Sequence, residues 1–261
     1  MKNRGIGKVM LMVCLLVWML PAVALPEQEE ALSSEQPYLY KTTFIRAAPG
    51  KLLDLIDLLK ERMPVYDAAG DKQPFWWRHT QGDQWDLMML YPMGSYAEYH
   101  AKNRTEHRAQ ALAVSSMSPE KFKKRYQEDV SWQEDIFVMG PPLEIVEEVF
   151  KGTSFYHIEI FIALPGKHEE LFKEREMENA YQRNIGRPQN LIFTRDQGAA
   201  WDLFTLGCYK DMAQWAASPD VAKEKRDEAA IAAGFEGSDK IGPFMRTLIL
   251  MHRDTIGVAI K

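Results

Sequence analysis

The sequence predicts an α+β protein made of two copies of one strand-helix-strand-strand-helix-strand unit, and three observations predict it. Gln81-Gly82, followed after two residues by Trp85-Asp86-Leu87, recurs as Gln197-Gly198 and Trp201-Asp202-Leu203. The offset, 201 − 85 = 116, also carries Pro49-Gly50-Lys51 onto Pro165-Gly166-Lys167. Without a gap it sets Tyr40 on Tyr156, Leu55 on Leu171, Gly70 on Gly186, Gln73 on Gln189, Leu90 on Leu206 and Ala97 on Ala213. A register held that long is an internal duplication. Third, each copy opens with a β-branched and aromatic run that breaks at Pro-Gly and gives way to a helical pattern.

In the first copy, Tyr38 to Ala47 reads as a strand and Pro49-Gly50 as its turn. Lys51 to Met63 places Leu52, Leu55, Ile56, Leu59 and Met63 at three- and four-residue steps, the mark of a helix with one apolar face. Pro64 is expected to end or kink it, because proline removes a helix hydrogen bond. Phe75 to Thr80 and Trp85 to Tyr91 flank Gln81-Gly82 as the arms of a hairpin. Ser95 has the chemistry of an N-cap for a helix reaching Val114. Glu120 to Glu128 follows as a short helix, Trp132 to Met139 as a fourth strand, and Gly140-Pro141-Pro142 closes the copy. The second copy repeats the order in Phe155 to Ala163, Lys167 to Asn184, Leu191 to Asp196, Trp201 to Tyr209, Asp211 to Ala233 and Phe244 to Arg253. Pro219 is expected to kink or split its last helix.

A chain of 261 residues holds two such lobes, each able to bury a core. The net charge of −5, from 32 Lys and Arg against 37 Asp and Glu, provides no basic field for a phosphate backbone, which argues against nucleic acid as a partner. Lys2, Arg4 and Lys8, the apolar run Val9 to Leu20 and the small-x-small Ala22-Val23-Ala24 form an export signal, so the expected location is periplasmic or secreted, with no membrane association after cleavage. An uncleaved anchor is the competing reading, since Val9 to Leu25 reaches the short edge of a membrane span. Cys14 would leave with the signal, leaving Cys208 alone and the fold without an internal disulfide. The expected layout is therefore 1–24 signal, 25–37 polar tether, 38–140 first lobe, 141–153 linker, 154–253 second lobe and 254–261 tail.

Strand-helix-strand-strand-helix-strand is the ferredoxin-like unit. Its sheet is covered by helices on one face only, so two lobes in one chain can cover each other. With Pro-Gly-Lys leading into each first helix and Trp-Asp-Leu on each third strand, the chain resembles the dimeric α/β-barrel superfamily, nearest to its NIPSNAP, EthD-like and antibiotic-biosynthesis-monooxygenase branches in a fused tandem form. The resemblance implies two antiparallel sheets packed face to face around a lumen, as an intrachain α/β barrel. It also implies a choice among cofactor-free oxygenases, haem-binding or haem-degrading proteins, isomerases, cyclases and proteins without catalysis.

Strand alternation gives candidate residues. If the uniformly apolar Tyr156, Ile158, Ile160 and Ile162 face the helices, then Phe155, His157, Glu159 and Phe161 face the lumen. His157 and Glu159 then share a side as an acid/base pair, with Lys41 and Thr43 at the same places in the first lobe and His252 within reach on the fourth strand. A metal site is not expected, because His-x-Glu lacks a third ligand at diagnostic spacing. On the second strands, Phe75, Trp77 and His79 match Leu191, Phe193 and Arg195. Rings with a polar tip suit a flat apolar ligand, with Arg195 or His79 meeting its polar end. The expected ligand contacts are thus Lys41, Trp77, His79, Phe161, Phe193 and Arg195, although core packing explains the aromatic ones equally well. Trp85, Asp86, Trp201 and Asp202 read as structural, since one site rarely needs both copies of a catalytic group. His100 and His107 lie seven apart on an exposed helix face; because some haem-handling proteins of the superfamily it resembles take an axial histidine from a lobe's second helix, the resemblance implies His100 as the one haem-ligand candidate.

The expected function is binding of a small apolar or aromatic molecule in the lumen, with cofactor-independent monooxygenation or isomerisation as the chemistry. The alternatives are a haem-binding protein of the same fold and a non-catalytic interaction module with a solid core. The cofactor, and whether the protein forms homo-oligomers, stay open at this level.

Overall fold

The computed structural model describes residues 37–217 and 220–260, so the expected signal, most of the tether and Pro219 lie outside the described residues. The first lobe runs β1 (Tyr38–Ala47), α1 (Leu52–Ala69), β2 (Phe75–Gln81), β3 (Leu87–Gly94), α2 (Tyr96–Tyr99), α3 (Lys102–Ala113), α4 (Pro119–Asp129) and β4 (Val130–Gly140). After α5 (Leu143–Phe150), the second runs β5 (Phe155–Ala163), α6 (His168–Asn184), β6 (Leu191–Gln197), β7 (Leu203–Tyr209), α7 (Met212–Ala216), α8 (Lys223–Ala232), α9 (Ile241–Arg246) and β8 (Ile249–Ala259).

Several elements differ from expectation for local reasons. Pro64 lies inside α1 without ending it; it sits on the solvent side, where a helix can bend around a missing hydrogen bond. Ser95 caps α2 by accepting the Glu98 N–H, but the helix breaks at His100-Ala101 before α3. The last helix of the second lobe is divided into α7 and α8, a split that was expected of it. The expected tail is part of β8, which continues the inward-outward alternation to Ala259, while Phe244 belongs to α9.

Within each lobe the strand order is the ferredoxin-like one, β4-β1-β3-β2 and β8-β5-β7-β6. The expected intrachain barrel is present, and its two sheets are joined into one antiparallel sheet that closes on itself, because β2 pairs with β8 and β4 with β6. Each lobe alone would present two unpaired edges, and closure satisfies all four. The two hairpins meet these seams closely. Gly82, at φ 114°, lies where a side chain would collide with the Asp254 carbonyl, and Gly198, at φ 101°, would bring a Cβ to 3.2 Å from the Asp135 carbonyl. The duplicated Asp is the lobe's internal clamp: Asp86 Oδ2 accepts the Ala47 N–H at 2.8 Å, and Asp202 Oδ2 accepts the Ala163 N–H at 2.8 Å.

The interior of the closed sheet is packed with side chains from both lobes, among them Tyr40, Phe44, Trp77, Trp85 and Met88 against Tyr156, Ile158, Phe193, Trp201 and Phe204. Phe193 stacks on Phe204 at 4.6 Å and meets Tyr40 edge-on at 5.4 Å. The segment expected to be a plain linker is the amphipathic α5, whose Leu143, Val146 and Phe150 pack into this core. Separate cores lie under α1 and α6 on the outer faces of the sheet.

Candidate functional site

Tyr156, Ile158 and Ile160 belong to the barrel interior. Phe155, His157, Glu159 and Phe161 therefore face the helices, and the faces assigned from the sequence are reversed. The reason is that an all-apolar face suits either side of such a sheet, and here it is the barrel that takes it. His157 and Glu159 do share a face, but it is the face under α6.

On that face α6 turns Leu171, Glu174, Arg175 and Asn179 inward. Glu174 is 0% and Arg175 3% exposed. Arg175 donates to Glu174 through Nε at 2.6 Å and Nη2 at 2.7 Å, pairs with Glu178 at 2.7 Å, and sets its guanidinium 4.9 Å over the Phe161 ring. Across the sheet, β8 places Asp254 opposite Glu159 and His252 opposite Phe161. One oxygen of Asp254 lies 3.3 Å from His157 Nε2 and the other 3.2 Å from His252 Nε2. Thr205 on β7 donates to Glu159 at 3.0 Å, and the Trp215 ring of α7 lies 5.5 Å from that of His157. The cluster reaches solvent at Asp254, whose side chain is 53% exposed.

The duplication shows what this face would be without the cluster. At the 116-residue offset, Glu174 answers Leu58, Arg175 answers Leu59, Asn179 answers Met63 and Thr205 answers Met89. All four of those first-lobe residues are buried and apolar. Burying an ion pair brings little or no net stability, since desolvation offsets the attraction. One lobe folds the unit without it, so the network in the other is not a requirement of the fold. Asn179 has a local task, trading two hydrogen bonds of 2.8 Å with the Asn190 backbone ahead of β6. His157 in turn answers Lys41, which faces α1 and not the lumen: it pairs with Asp135 at 3.4 Å and lies 4.6 Å from the Tyr91 ring. A permanent charge in the first lobe is thus replaced by a titratable one in the second.

Electrostatics follow from this packing. Burial lowers the His157 pKa, but the hydrogen bond it donates to Asp254 and the charges of Glu159, Asp254 and Glu178 outweigh it and leave the ring above the usual histidine range. The His157 hydrogen bond holds Asp254 below the usual carboxylate range. Burial raises Glu159, with Glu178 adding and Arg175 opposing, and burial pushes Glu174 up to about 7 against the pull of Arg175. Among the described residues no three His, Cys, Asp or Glu side chains group as a metal-ligand set.

The other candidates disperse. Trp77 and Phe193 are fully buried in the barrel, and Phe161 is fully buried under α6 and not in the lumen. His79 lies inside the barrel, 5.4 Å from the Trp85 ring, and burial lowers its pKa. Arg195 is not with it: its Nη2 binds Asp202 at 2.9 Å, bracing the hairpin. His100 and His107 are exposed and sit on different elements, because α2 ends at Tyr99. Cys208 is buried, and burial pushes its thiol up and out of reactive range. Sequence reasoning missed Glu174, Arg175, Asp254 and Trp215. For the first two the signal was present: the offset that aligned the strands also places Glu-Arg on Leu-Leu in the apolar stripe of the first helix.

Comparison with protein-family models and with curated proteins finds no match. Among solved structures the chain is similar to an anthrone oxidase-like protein, at a TM-score of 0.51 and 14% identity over 87% of this chain and 93% of that one. It is also similar to a monooxygenase candidate from Lactobacillus acidophilus NCFM (0.48, 7% identity, 85% and 94%). A mutant chlorite dismutase from Candidatus Nitrospira defluvii matches at 0.48 and 7% identity, over 87% and 93%. At such identities the first likeness shows a shared fold, the ferredoxin-like α/β unit in tandem, and nothing about the reaction.

Proposed function

We propose that the second lobe carries a proton-transfer site between its sheet and α6, acting on a small aromatic or carbonyl-bearing molecule without a cofactor. The observation that carries this reading is the His157–Asp254 pair beside Glu159 and Arg175, built where the first lobe has Lys41, Thr43 and Leu59. With Nε2–H donated to Asp254, the His157 Nδ1 is the free acceptor and takes a proton from carbon next to a carbonyl. His252 holds the second oxygen of Asp254 and so fixes the pair. Arg175, held by Glu174 and Glu178 on the same face, adds positive charge to the field around the site without touching the ligand, while Glu159, its pKa raised, returns the proton. Removing that proton is the common first step of isomerisation and of oxidation by dioxygen. A protein of the same fold is anthrone oxidase-like, which puts anthrones among the compounds to test.

Haem, the second reading, fits these residues poorly. Both imidazoles in the cluster spend Nε2 on one carboxylate, and Arg175 covers Phe161. The test is dioxygen consumption and absorbance change on a panel of anthrones, hydroxyquinones and β-dicarbonyl compounds, with the spectrum of the isolated protein recorded alongside. His157→Ala is expected to lose turnover at least about 100-fold while its melting stays cooperative. Unchanged turnover in that variant would remove His157 from the mechanism, and a Soret band lost in it would favour haem.

A further inference from the structure

Six buried side-chain polar atoms find no hydrogen-bond partner among the described residues, and five of them lie inside the barrel: Thr42 Oγ1, Trp77 Nε1, His79 Nε2, Trp85 Nε1 and Thr255 Oγ1. Buried polar groups are nearly always paired, so a cluster of orphans marks a place where something else supplies the partner. Four of the five follow one line. Trp77 and His79 stand on β2 opposite Ala259 and Gly257 of β8, Thr255 is the next inward residue of β8, and the Trp85 ring lies 5.4 Å from that of His79.

The pseudo-symmetric seam on the other side of the barrel is different. Register places Ile136 opposite Thr42 as Thr255 is opposite Ile158, and Val138 opposite Tyr40 as Gly257 is opposite Tyr156. Phe193 stands for Trp77 at the 116-residue offset. One seam is therefore Ile-Val-Phe with Arg195, whose guanidinium is taken by Asp202, and the other Thr-Gly-Trp with His79. The glycine is required by the change: a Cβ at 257 would lie 2.5 Å from Trp77 Cδ1 and 3.3 Å from its Nε1. The polar line ends at the barrel mouth, where a cavity of about 20 Å³ is bordered by Phe44, Trp85, Trp201, Asp83, Glu134 and Arg253. That is room for one water molecule. Arg253 Nη1 pairs with Asp83 at 3.0 Å across this mouth, and burial raises Glu134 against the pull of Arg253.

The geometry points to a second binding line in this protein, inside the barrel along the β2–β8 seam: a row of water-sized hydrogen-bonding ligands running from the Asp83–Arg253–Glu134 mouth past Trp85 and Thr255 to His79 and Trp77. Indole N–H groups donate to the row, the threonine hydroxyl does both, and His79, which also hydrogen-bonds the Gln81 backbone, offers Nε2. Burial keeps His79 neutral, so it sits as a proton acceptor at the inner part of a line that begins among charged groups at the surface. This line is separate from the proton-transfer site under α6 and stands or falls without it.

Thr255→Val tests the idea in the full chain, because it exchanges a hydroxyl for a methyl of the same shape. If Thr255 Oγ1 holds a bound water, the variant strips that water of a partner and Tm falls by about 3 °C. If the hydroxyl is dry, its removal relieves an unpaired polar group and Tm rises, which overturns the inference. A high-resolution crystal structure of the unaltered protein reads the same point directly. Density peaks within hydrogen-bond distance of Thr255 Oγ1 and His79 Nε2 are expected, and a seam without density there overturns it whatever the variant does.

Discussion

Asp254 shows how much one side chain on a fourth strand can decide. Its counterpart Asp135 is held by Lys41 at 3.4 Å, Thr43 Oγ1 at 2.5 Å and Gln133 Nε2 at 2.9 Å, so it serves as an anchor between fixed groups. Asp254 instead holds two histidines, and the cluster gains a charge that changes near neutrality. For a proton-accepting His157 the neutral ring is the active form, and its pKa lies above 6.5, so activity should climb as pH rises through a value above 6.5. Asp254→Asn removes the hydrogen-bond acceptor charge that raises it. The acid limb of the pH–rate profile should then move to lower pH, with a lower plateau because the ring is no longer held; an unmoved limb would detach Asp254 from His157. These roles were only half legible in the sequence. His157 and Glu159 were picked by alternation, but Asp254 lay in what read as a tail, and no rule of spacing connects residue 157 to residue 254 before the sheet is closed.

At the level of the element, the two first helices are a built-in comparison. α1 meets its sheet with Leu55, Leu58, Leu59 and Met63, while α6 meets its own with Leu171, Glu174, Arg175 and Asn179. Glu174→Leu combined with Arg175→Leu copies the first lobe into the second. The double variant should be more stable by about 1–4 kcal/mol, as when buried ion pairs give way to packed apolar residues. It should also lose turnover, a separation that chemical denaturation and the dioxygen assay read together. A pH signature goes with it. Glu174 titrates near 7 when folded against an ordinary 4.5, so between these values the folded chain keeps a proton that the unfolded chain has released. Folding stability due to this group therefore falls as pH rises from about 4.5 to about 7, and the double variant should lack that fall. The strands and first helices were readable because period and turn chemistry are local. Which face of β5 meets α6 was not, since both are largely apolar and only the opposing helix tells them apart.

Over the whole molecule, what holds the lobes together is backbone pairing along two seams, with α5 packed into the shared core. Gly82→Ala attacks one seam directly: it puts a Cβ against the Asp254 carbonyl at a φ that side chains rarely adopt. A loss of at least about 2 kcal/mol is expected from the strain, measurable by urea unfolding, and Gly50→Ala serves as a control with a similar φ of 78° and open space around it. The duplication announced two similar lobes, and their order of elements was correct in outline. The barrel was expected from the resemblance, but which strands close it was not readable, because the edge strands that pair across the lobes carry no mark of it in their own residues. That closure also sets a folding problem. The β2–β8 seam joins partners as far apart as Thr80 and Ile256, 176 residues along the chain. Contacts so distant in sequence are slow to find. A chain waiting with β2 and β8 unpaired offers another such chain the same two edges, so refolding at high concentration should yield strand-exchanged dimers, and dilution should favour the monomer.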